Sequence, residues 1–525
     1  MNAQKEAALK VVRRLRASGY EAKLVGGCVR DEQLALLWGN VSHPTRRDLK
    51  VSEPHDYDVA TDATPDLVEA LFGRTVLVGK SFGVVNVVDD ELLFDDARVI
   101  TQVATFRADG NYADGRRPDE VRLVREFRDD VTRRDFTING LAQEEDGAVT
   151  DLVGGLADLR AGIIRAIGDP EKRIDEDKLR MLRAVRFAAR FGFQIEPGLM
   201  QAIRKHAPEI KACSGERICD ELRKIFTHSS LIVAFDLLIE TGLMEQVLPE
   251  VTAMGKRGGE QSGPWHPEGN SLVHTRMVLA QAAGHSFVLV LATLLHDIGK
   301  VRTQKVKFGK FWGPILNFVL GRFVPRFRLR ISNPGHAEVG AAMAQVICRD
   351  RLKMCRAETD AVVHIVAQHM RMHDMAAPGV KDSTLAKLFA DPLFPELRLL
   401  QHWDSFGNGQ SMEAHLRFSH WHFFGAKLHE LSQRRAHQRP GANKIVTGKT
   451  LVGMQLKPGT VFSLVLDAAY AAQLENEFVD EAGGIDWVRA RLPEFYAAAA
   501  ECDRRRQAVK REHKDKGSKR PQSVR

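Results

Sequence analysis

Cysteine is scarce in this chain. Six occur in 525 residues, at Cys28, Cys213, Cys219, Cys348, Cys355 and Cys502, and no two are spaced as CxxC. That spacing excludes a zinc knuckle and a dithiol redox motif. So few cysteines in so long a chain make a disulfide framework an unlikely basis for the fold and point to a reducing, cytoplasmic setting. Long apolar runs are also missing. The longest, Phe287 to Leu295, is too short to span a bilayer, so no membrane partner is expected. The opening MNAQKEAALKVVRRLR is polar and helical in spacing, without the apolar centre of a secretory signal. No internal repeat is visible.

What is present is ordinary in bulk. Hydrophobic residues make up 44% and charged residues 27%, as in a globular protein. The length exceeds what one core can fill, so several domains are expected. The formal net charge of +8 suits a polyanionic partner, although a basic enzyme with no nucleic acid fits that number equally well.

Periodicity divides the chain. Residues 5–17 read as an amphipathic helix. From Ala22 to about Leu152, short β-branched runs (LVG, VVNVV, ITQVATF, VRLV) separated by turn residues predict an α+β region with a small sheet. Residues 39–54 read as a polar insertion. From Pro170 to Leu248 the spacing is helical, and 252–270 is a Gly-rich linker. Helical spacing returns in the His-rich segment 271–410 and in 411–503, broken by KPGT. The tail 504–525 is basic and without apolar periodicity, and is expected to be disordered.

Four strings carry chemistry: LVGGCVRD (24–31), HDYDVAT (55–61), RRDFTING (133–140) and DEDKLRMLRAVRF (175–187). In a strand, residues two apart share a face, so Asp56 and Asp58 can present two carboxylates to hard cations such as Mg2+. Such cations neutralise charge on a transferring phosphoryl group. Alone, a DxD is usually a surface turn. Upstream, Gly26 and Gly27 permit close backbone approach to a phosphate, and Arg30 adds a planar cation. Arg133, Arg134 and Asp135 precede FTING, an apparent buried segment, and so sit at a boundary between core and cleft. Asp177 and Arg180 are three apart and would share one helix face, with Arg183 continuing the stripe. An i,i+3 ion pair is the plain reading. Alternatively, a carboxylate accepts from the exocyclic amino group of cytosine or adenine and repels the oxygen of uracil or guanine, while an arginine donates to the neighbouring ring acceptor.

Taken together these strings resemble the class II tRNA nucleotidyltransferases of the polymerase-beta superfamily, the CCA-adding enzymes and bacterial poly(A) polymerases. The resemblance runs from about Ala22 to about Phe226, and more loosely to about Leu492. It implies a nucleotidyltransferase head (1–160), a helical neck (161–251), a linker (252–270), an HD domain (271–410) and a helical C-terminal domain (411–503). It implies a metal-dependent enzyme that adds CMP and AMP, from CTP and ATP, to the tRNA 3′ end. It assigns catalytic Mg2+ to Asp56 and Asp58. Triphosphate contact falls to Gly26, Gly27, Arg30, Arg134 and Arg183, and base reading to Asp177 and Arg180. The family usually places a third carboxylate before its V-[AT]-T-[FY] string. Here that string is Val103 to Phe106 and the preceding residue is Gln102, so either two carboxylates suffice or Asp95 or Asp96 compensates.

A second constellation, His274, His296-Asp297 and Asp404, resembles the H…HD…D pattern of HD-domain phosphohydrolases. Imidazole with carboxylate suits a transition metal. His336 and His369 match positions that hold a second metal in some of that superfamily. Residues 301–335 form an insertion with many Phe and Arg, readable as an RNA-stacking lid or a packed helical hairpin. Rival readings are a poly(A) polymerase or a partial CC- or A-adding enzyme, an RNA-binding protein with an inactive transferase, and an HD hydrolase of a nucleotide. Oligomeric state is not legible.

Overall fold

In the computed structural model the described residues are 2–38, 54, 56–76, 83–94, 97–109, 121–256, 270–311, 326–371, 375, 380–407, 423–431, 444–474 and 477–517. The insertion 39–54 lies outside them except for Pro54, as do Asp95 and Asp96. Two units, Met1–Ala367 and Gln368–Arg525, are each compact.

Helix α1 (Ala3–Ala17) follows its apolar spacing: Ala7, Ala8, Val11, Val12 and Leu15 are buried on one face, and Asn2 caps the Gln4 amide. It packs on a seven-stranded sheet. The strands are β1 (Ala22–Val25), β2 (Asp58–Thr61), β3 (Thr75–Val76), β4 (Val84–Phe94), β5 (Ala97–Thr105), β8 (Leu141–Gln143) and β9 (Val149–Asp151). Their order is β3-β4-β5-β2-β1-β8-β9. A separate pair joins β6 (Arg107–Asp109) to β7 (Val121–Leu123). Helices α2 (Gly27–Trp38), α3 (Pro65–Leu71), α4 (Phe127–Thr132) and α5 (Gly155–Ala161) complete the expected α+β head. In β5 the alternation is visible in burial: Val99, Thr101, Val103 and Thr105 are inside, while Ile100 and Gln102 are exposed.

Three features of the sheet set up a site. β1 passes into α2 through Gly26, whose φ of +80° suits glycine. Asp58 opens β2 opposite Val25. β5 runs parallel to β2 with Val59 beside Val103, so Gln102 is level with Asp58 on the same pleat face.

The neck begins with α6 (Pro170–Glu176), capped by Asp169, and α7 (Arg180–Phe191). The two-stranded parallel pair β10 (Ile163–Ile164) and β11 (Gln194–Ile195) brackets them. It continues through α8 (Pro197–His206), α9 (Gly215–Phe226), α10 (Leu231–Glu240), α11 (Leu243–Val247) and α12 (Pro249–Ala253). Then come α13 (Ser271–Gln281), α14 (Phe287–Leu295), buried at every position but Val288, and α15 (Lys300–Thr303).

Among its described residues, the 301–335 insertion is built on a strand pair and not a helical hairpin. Its described arms, β12 (Lys305–Phe311) and β13 (Arg326–Ser332), pair antiparallel from Lys305↔Ser332 to Phe311↔Arg326. The reason is legible in retrospect. RFRLRIS alternates basic and apolar residues with the period of a strand, which overrides helical expectations. Helices α16 (His336–Gln345) and α17 (Arg356–Gln368) follow.

The second unit holds α18 (Asp382–Phe389), α19 (Phe394–Gly407), a helical stretch at 423–431, α20 (Gly448–Gly453), α21 (Thr460–Leu474) and α22 (Glu481–Gly517). One core gathers Leu385, Leu388, Phe394, Phe424 and Leu431; another gathers Val446, Leu451, Val465, Ala469, Phe478 and Val488. Helix α22 runs through residues 504–517 of the segment expected to be disordered. An alanine run at 497–500 followed by Glu, Arg, Gln and Lys favours helix without any apolar stripe.

The head depends on one close approach. Asp151 accepts the amides of Val153, Gly154, Gly155 and Leu156, seating the start of α5 against the 3-10 turn Thr137–Asn139. A Cβ at Gly155 would press into the Thr137 carbonyl, well inside contact distance. Gly155→Ala should therefore cost about 1–3 kcal/mol of stability, read from denaturant unfolding. An unchanged midpoint would contradict this packing.

Candidate active site

The Gly26–Gly27 turn, the start of β2 and the Arg133–Arg134 corner converge. Asp56 is exposed and Asp58 half-buried. Burial pushes the Asp58 carboxyl up, the nearby Asp56 pushes it further, and Arg134 pulls the other way. Burial and a neighbouring carboxylate, which together disfavour charge on Asp58, make a fitting seat for a hard divalent cation. A methyl group at Gly26 would lie 3.4 Å from Arg134 Nη1, so that guanidinium stands directly beside the turn. Cys28 is buried, and burial together with Asp58 pushes its thiol up to about 12, which makes it inert as a nucleophile. Gln102, on the face of Asp58, offers a neutral amide where a third carboxylate was expected.

The arginines divide by what they touch. Asp130 splits its two oxygens between Arg133 (Oδ1 to Nη2, 2.7 Å) and Arg134 (Oδ2 to Nη2, 2.9 Å). Burial would raise the Asp130 carboxyl, but Arg134 and Arg133 outweigh it and hold it low. Arg134 also donates to the Asn139 carbonyl at 3.3 Å. Arg30 is only 4% exposed. It donates to Asn139 Oδ1 at 2.5 Å and Asp31 Oδ1 at 2.7 Å, with the rings of Phe187 and Phe191 about it. Arg183 donates from Nε to Asp135 Oδ2 at 2.8 Å. Asp135 also accepts from the Phe136 amide at 2.8 Å and Asn139 Nδ2 at 2.9 Å. Arg30 and Arg183, expected at the triphosphate, are thus engaged inside the protein.

Asp177 and Arg180 do not share a helix. Asp177 is the extended residue that ends α6, and Arg180 begins α7 after a two-residue break. Asp177 Oδ1 accepts from the Leu179 amide at 3.1 Å, a local bond that competes with helix, and its Oδ2 accepts from Arg217 Nη2 at 2.8 Å. Arg180, nearly buried, donates to Glu176 Oε2 at 2.6 Å and to the carbonyls of Arg173 and Arg133 at 2.9 and 2.7 Å. The sequence reading missed four supporting residues: Asp130, Asn139, Arg217 and Glu221. The last two were signalled by their i,i+4 spacing in GERICDEL, on the face of α9 that meets α7.

The histidine cluster lies elsewhere in the first unit. His274, His296 and Asp297 are all buried, with ligand atoms within 4.8 Å of one another. His296 Nδ1 is 2.7 Å from the Thr293 carbonyl and His336 Nδ1 is 2.9 Å from that of Asn333. A carbonyl only accepts, so both rings carry a proton on Nδ1, and Nε2 presents a lone pair. Those Nε2 atoms face Asp297 at 3.3 and 3.6 Å, and His274 Nε2 does so at 3.9 Å. Lone pairs converging on a carboxylate fit a cation between them, and this nitrogen–oxygen set fits a transition metal. Lys300 Nζ lies 2.6 Å from Asp297. His369, buried, and Asp404, half-buried on α19, belong to the second unit.

With this geometry in hand, comparison with known proteins is informative. Residues 22–165 match the poly A polymerase head domain, 192–254 the probable RNA and SrmB-binding site of polymerase A, and 272–409 the HD domain. The chain thus carries a head that matches that of poly A polymerases, a neck segment that matches a probable RNA and SrmB-binding site, and an HD domain. Its similarity within that class is to CCA-adding enzymes. Identity is 39% over 241 residues with that of Limosilactobacillus fermentum, 41% over 240 with Levilactobacillus brevis and 40% over 236 with Geobacillus stearothermophilus. These stretches are 45–46% of this chain and 53–55% of those proteins, so the match spans about half their length. The fold resembles the Bacillus stearothermophilus CCA-adding enzyme in complex with CTP, at TM-score 0.59 and 23% identity over 97% of this chain and 100% of that one. It also resembles the Thermotoga maritima enzyme complexed with tRNA, at TM-score 0.51 and 17% identity over 93% and 95%. At such identities the likeness concerns the fold.

Two outcomes follow. Asp135 is buried; burial opposes its charge, but Arg183 and Asn139 prevail and hold the carboxyl at about 2. A carboxyl depressed on folding stabilises above its unfolded value and loses that contribution as pH falls toward the folded one. Unfolding free energy should therefore drop by roughly 2 kcal/mol between about pH 4 and pH 2. Asp135→Asn should remove most of that dependence, and an identical pH profile in both proteins would contradict the pairing. Elemental analysis should find a transition metal in the wild type that His296→Ala and Asp297→Ala lack. Equal metal content in all three would exclude this cluster as its ligand set.

Proposed function

We propose that the chain adds CMP and AMP to the 3′ end of tRNA from CTP and ATP with Mg2+, and that its HD domain carries a metal-dependent phosphohydrolase activity. One observation carries the first part: Asp58 opens β2 opposite Val25, next to the Gly26 turn, with the Asp56 carboxylate near it and the Arg134 guanidinium against the turn. In that reaction the RNA 3′ hydroxyl attacks the α-phosphorus of the nucleotide and pyrophosphate leaves. Divalent cations held by Asp56 and Asp58 would supply charge neutralisation and hydroxyl activation. The remaining work belongs to the protein. The glycine turn lets the backbone approach the phosphates, and Arg134, aimed by Asp130 and the Asn139 carbonyl, offsets charge on the departing pyrophosphate. Arg30 and Arg183 hold the surrounding wall. Asp177, steadied by Arg217, accepts the exocyclic amino group of cytosine or adenine, and Arg180 is the donor braced beside it. Solved relatives in complex with CTP, ATP and tRNA support this reading. Poly(A) addition is the neighbouring alternative, favoured by the head-domain match alone.

Asp58→Asn should remove nearly all nucleotide addition while the thermal midpoint stays close to wild type, because a charge and not a packing group is lost. Near-normal addition would refute the site. Asp177→Ala should raise the UTP/CTP and GTP/ATP incorporation ratios by about one to two orders of magnitude, since a good base contact discriminates by roughly 1–3 kcal/mol. Ratios equal to wild type would return Asp177 to a brace for the turn between α6 and α7 and a partner for Arg217.

A further inference from the structure

The neck holds a second basic feature that the transfer site does not use. A cavity of about 380 Å³ lies between α7 and the α9–α10 corner, lined by Arg186 and Arg190 from α7, Lys224 from α9, and Thr227, His228 and Ser230 from the connecting turn. Ala189, Ile225 and Ala234 add an apolar lining. The volume falls in the range of small-ligand sites.

Its charges do not balance. Asp31 is shared by Arg30, at 2.7 Å, and Arg190, at 3.3 Å. Glu221, itself buried, is shared by Arg186, at 2.7 Å, and Lys224, at 3.3 Å. Three cations line the cavity against two carboxylates, one of which, Asp31, also answers Arg30, so positive charge is in excess there. Arg186 and Arg190 are both held below the ordinary arginine value, by burial first and then by cationic neighbours, Arg183 and Arg30 for the former and Arg30 for the latter. An anion in the cavity would relieve that repulsion. The neutral donors point the same way. The Ser230 amide donates to His228 Nδ1 at 3.1 Å, so the imidazole proton sits on Nε2 and makes that atom a donor. Ser230 also precedes the ten-residue helix α10, whose N-terminal amides and dipole favour negative charge.

We propose that this cavity is a phosphate-binding subsite and that the phosphate it takes belongs to the backbone of an RNA strand. The choice of RNA over a free anion rests on the proposed RNA substrate and on Lys224, Thr227, His228 and Ser230 lying within the segment that matches a probable RNA-binding model. None of Asp56, Asp58, Arg134 or Asp177 lines the cavity, so it would act on strand position and not on base choice.

The test uses the full chain and tRNA lacking its terminal CCA, with binding followed by fluorescence anisotropy over a salt series. Lys224 is the residue to change because its side chain is more than half exposed and the fold does not lean on it. Circular dichroism checks that the variants are folded. Lys224→Ala should weaken binding and lower the slope of log affinity against log salt by about 0.7–0.9, the loss of one phosphate contact. Lys224→Glu should do so more strongly. Lys205→Ala, on α8 outside the cavity, should leave the slope unchanged. A parallel calorimetric titration uses inorganic phosphate. If the RNA slope is unchanged but phosphate binds wild type and not Lys224→Glu, the subsite stands and its RNA source is overturned. If neither RNA slope nor phosphate binding responds to Lys224, the proposal is overturned. A wild-type chain that binds RNA with this slope yet adds no nucleotide would refute the transfer reading and leave the subsite intact.

Discussion

One buried carboxylate organises the head and the neck. Asp135 accepts the Phe136 amide, the Asn139 side chain and Arg183, and lies far inside the protein. Through Asn139 it reaches Arg30 and the backbone carbonyl that helps aim Arg134. Through Arg183 it fixes α7 against the head. A buried ion pair of this kind adds little net stability compared with an apolar substitute, but removing one partner costs about 3–5 kcal/mol because the other is left charged and dry. Its value is placement. Several arginines and one carboxylate triad of hydrogen bonds can be satisfied together in only a few ways.

That placement sorts the cations into two kinds. Arg30 and Arg183 are committed to carboxylates, an amide oxygen and aromatic faces, and so behave as struts. Arg134 keeps its head group at the Gly26 turn, braced by Asp130 from behind. The same logic separates Asp58, whose carboxyl is crowded by Asp56 and destabilised by burial, from Asp130 and Asp135, whose charges are fully answered. Unanswered negative charge marks the place for a metal, and answered charge marks the frame around it.

Much of this was legible in the sequence. The alternation of ITQVATF appears as the burial pattern of β5, and α1 follows its apolar stripe. Gly26 and Asp58 come together because a positive-φ turn follows β1 where β2 begins opposite Val25; Asp56 precedes that strand, so the shared pleat face expected for the two carboxylates does not form. The His296-Asp297 dipeptide at the end of an apolar helix likewise announces a buried polar cluster. What spacing could not show is where side chains end. Asp177 and Arg180 are three apart, but the Asp177 carboxylate takes the Leu179 amide and breaks the helix between them. Arg30 reads as a phosphate ligand until Phe187 and Phe191, more than a hundred and fifty residues away, enclose it. The basic-apolar alternation of RFRLRIS was present as a strand signal and was hidden by the helical segments on either side. The i,i+4 spacing of Arg217 and Glu221 marks one face of α9 but not the residues they meet, Asp177 and Arg186.

The account stands most directly on the reaction itself. Wild-type protein should be incubated with Mg2+, tRNA lacking its terminal CCA, and each labelled nucleoside triphosphate in turn, then with CTP and ATP together, and the products sequenced. The account predicts CMP incorporation from CTP alone, completion to CCA when both are present, and little from UTP or GTP. Extension by AMP alone into a long tract, or no incorporation from any nucleotide, would contradict it.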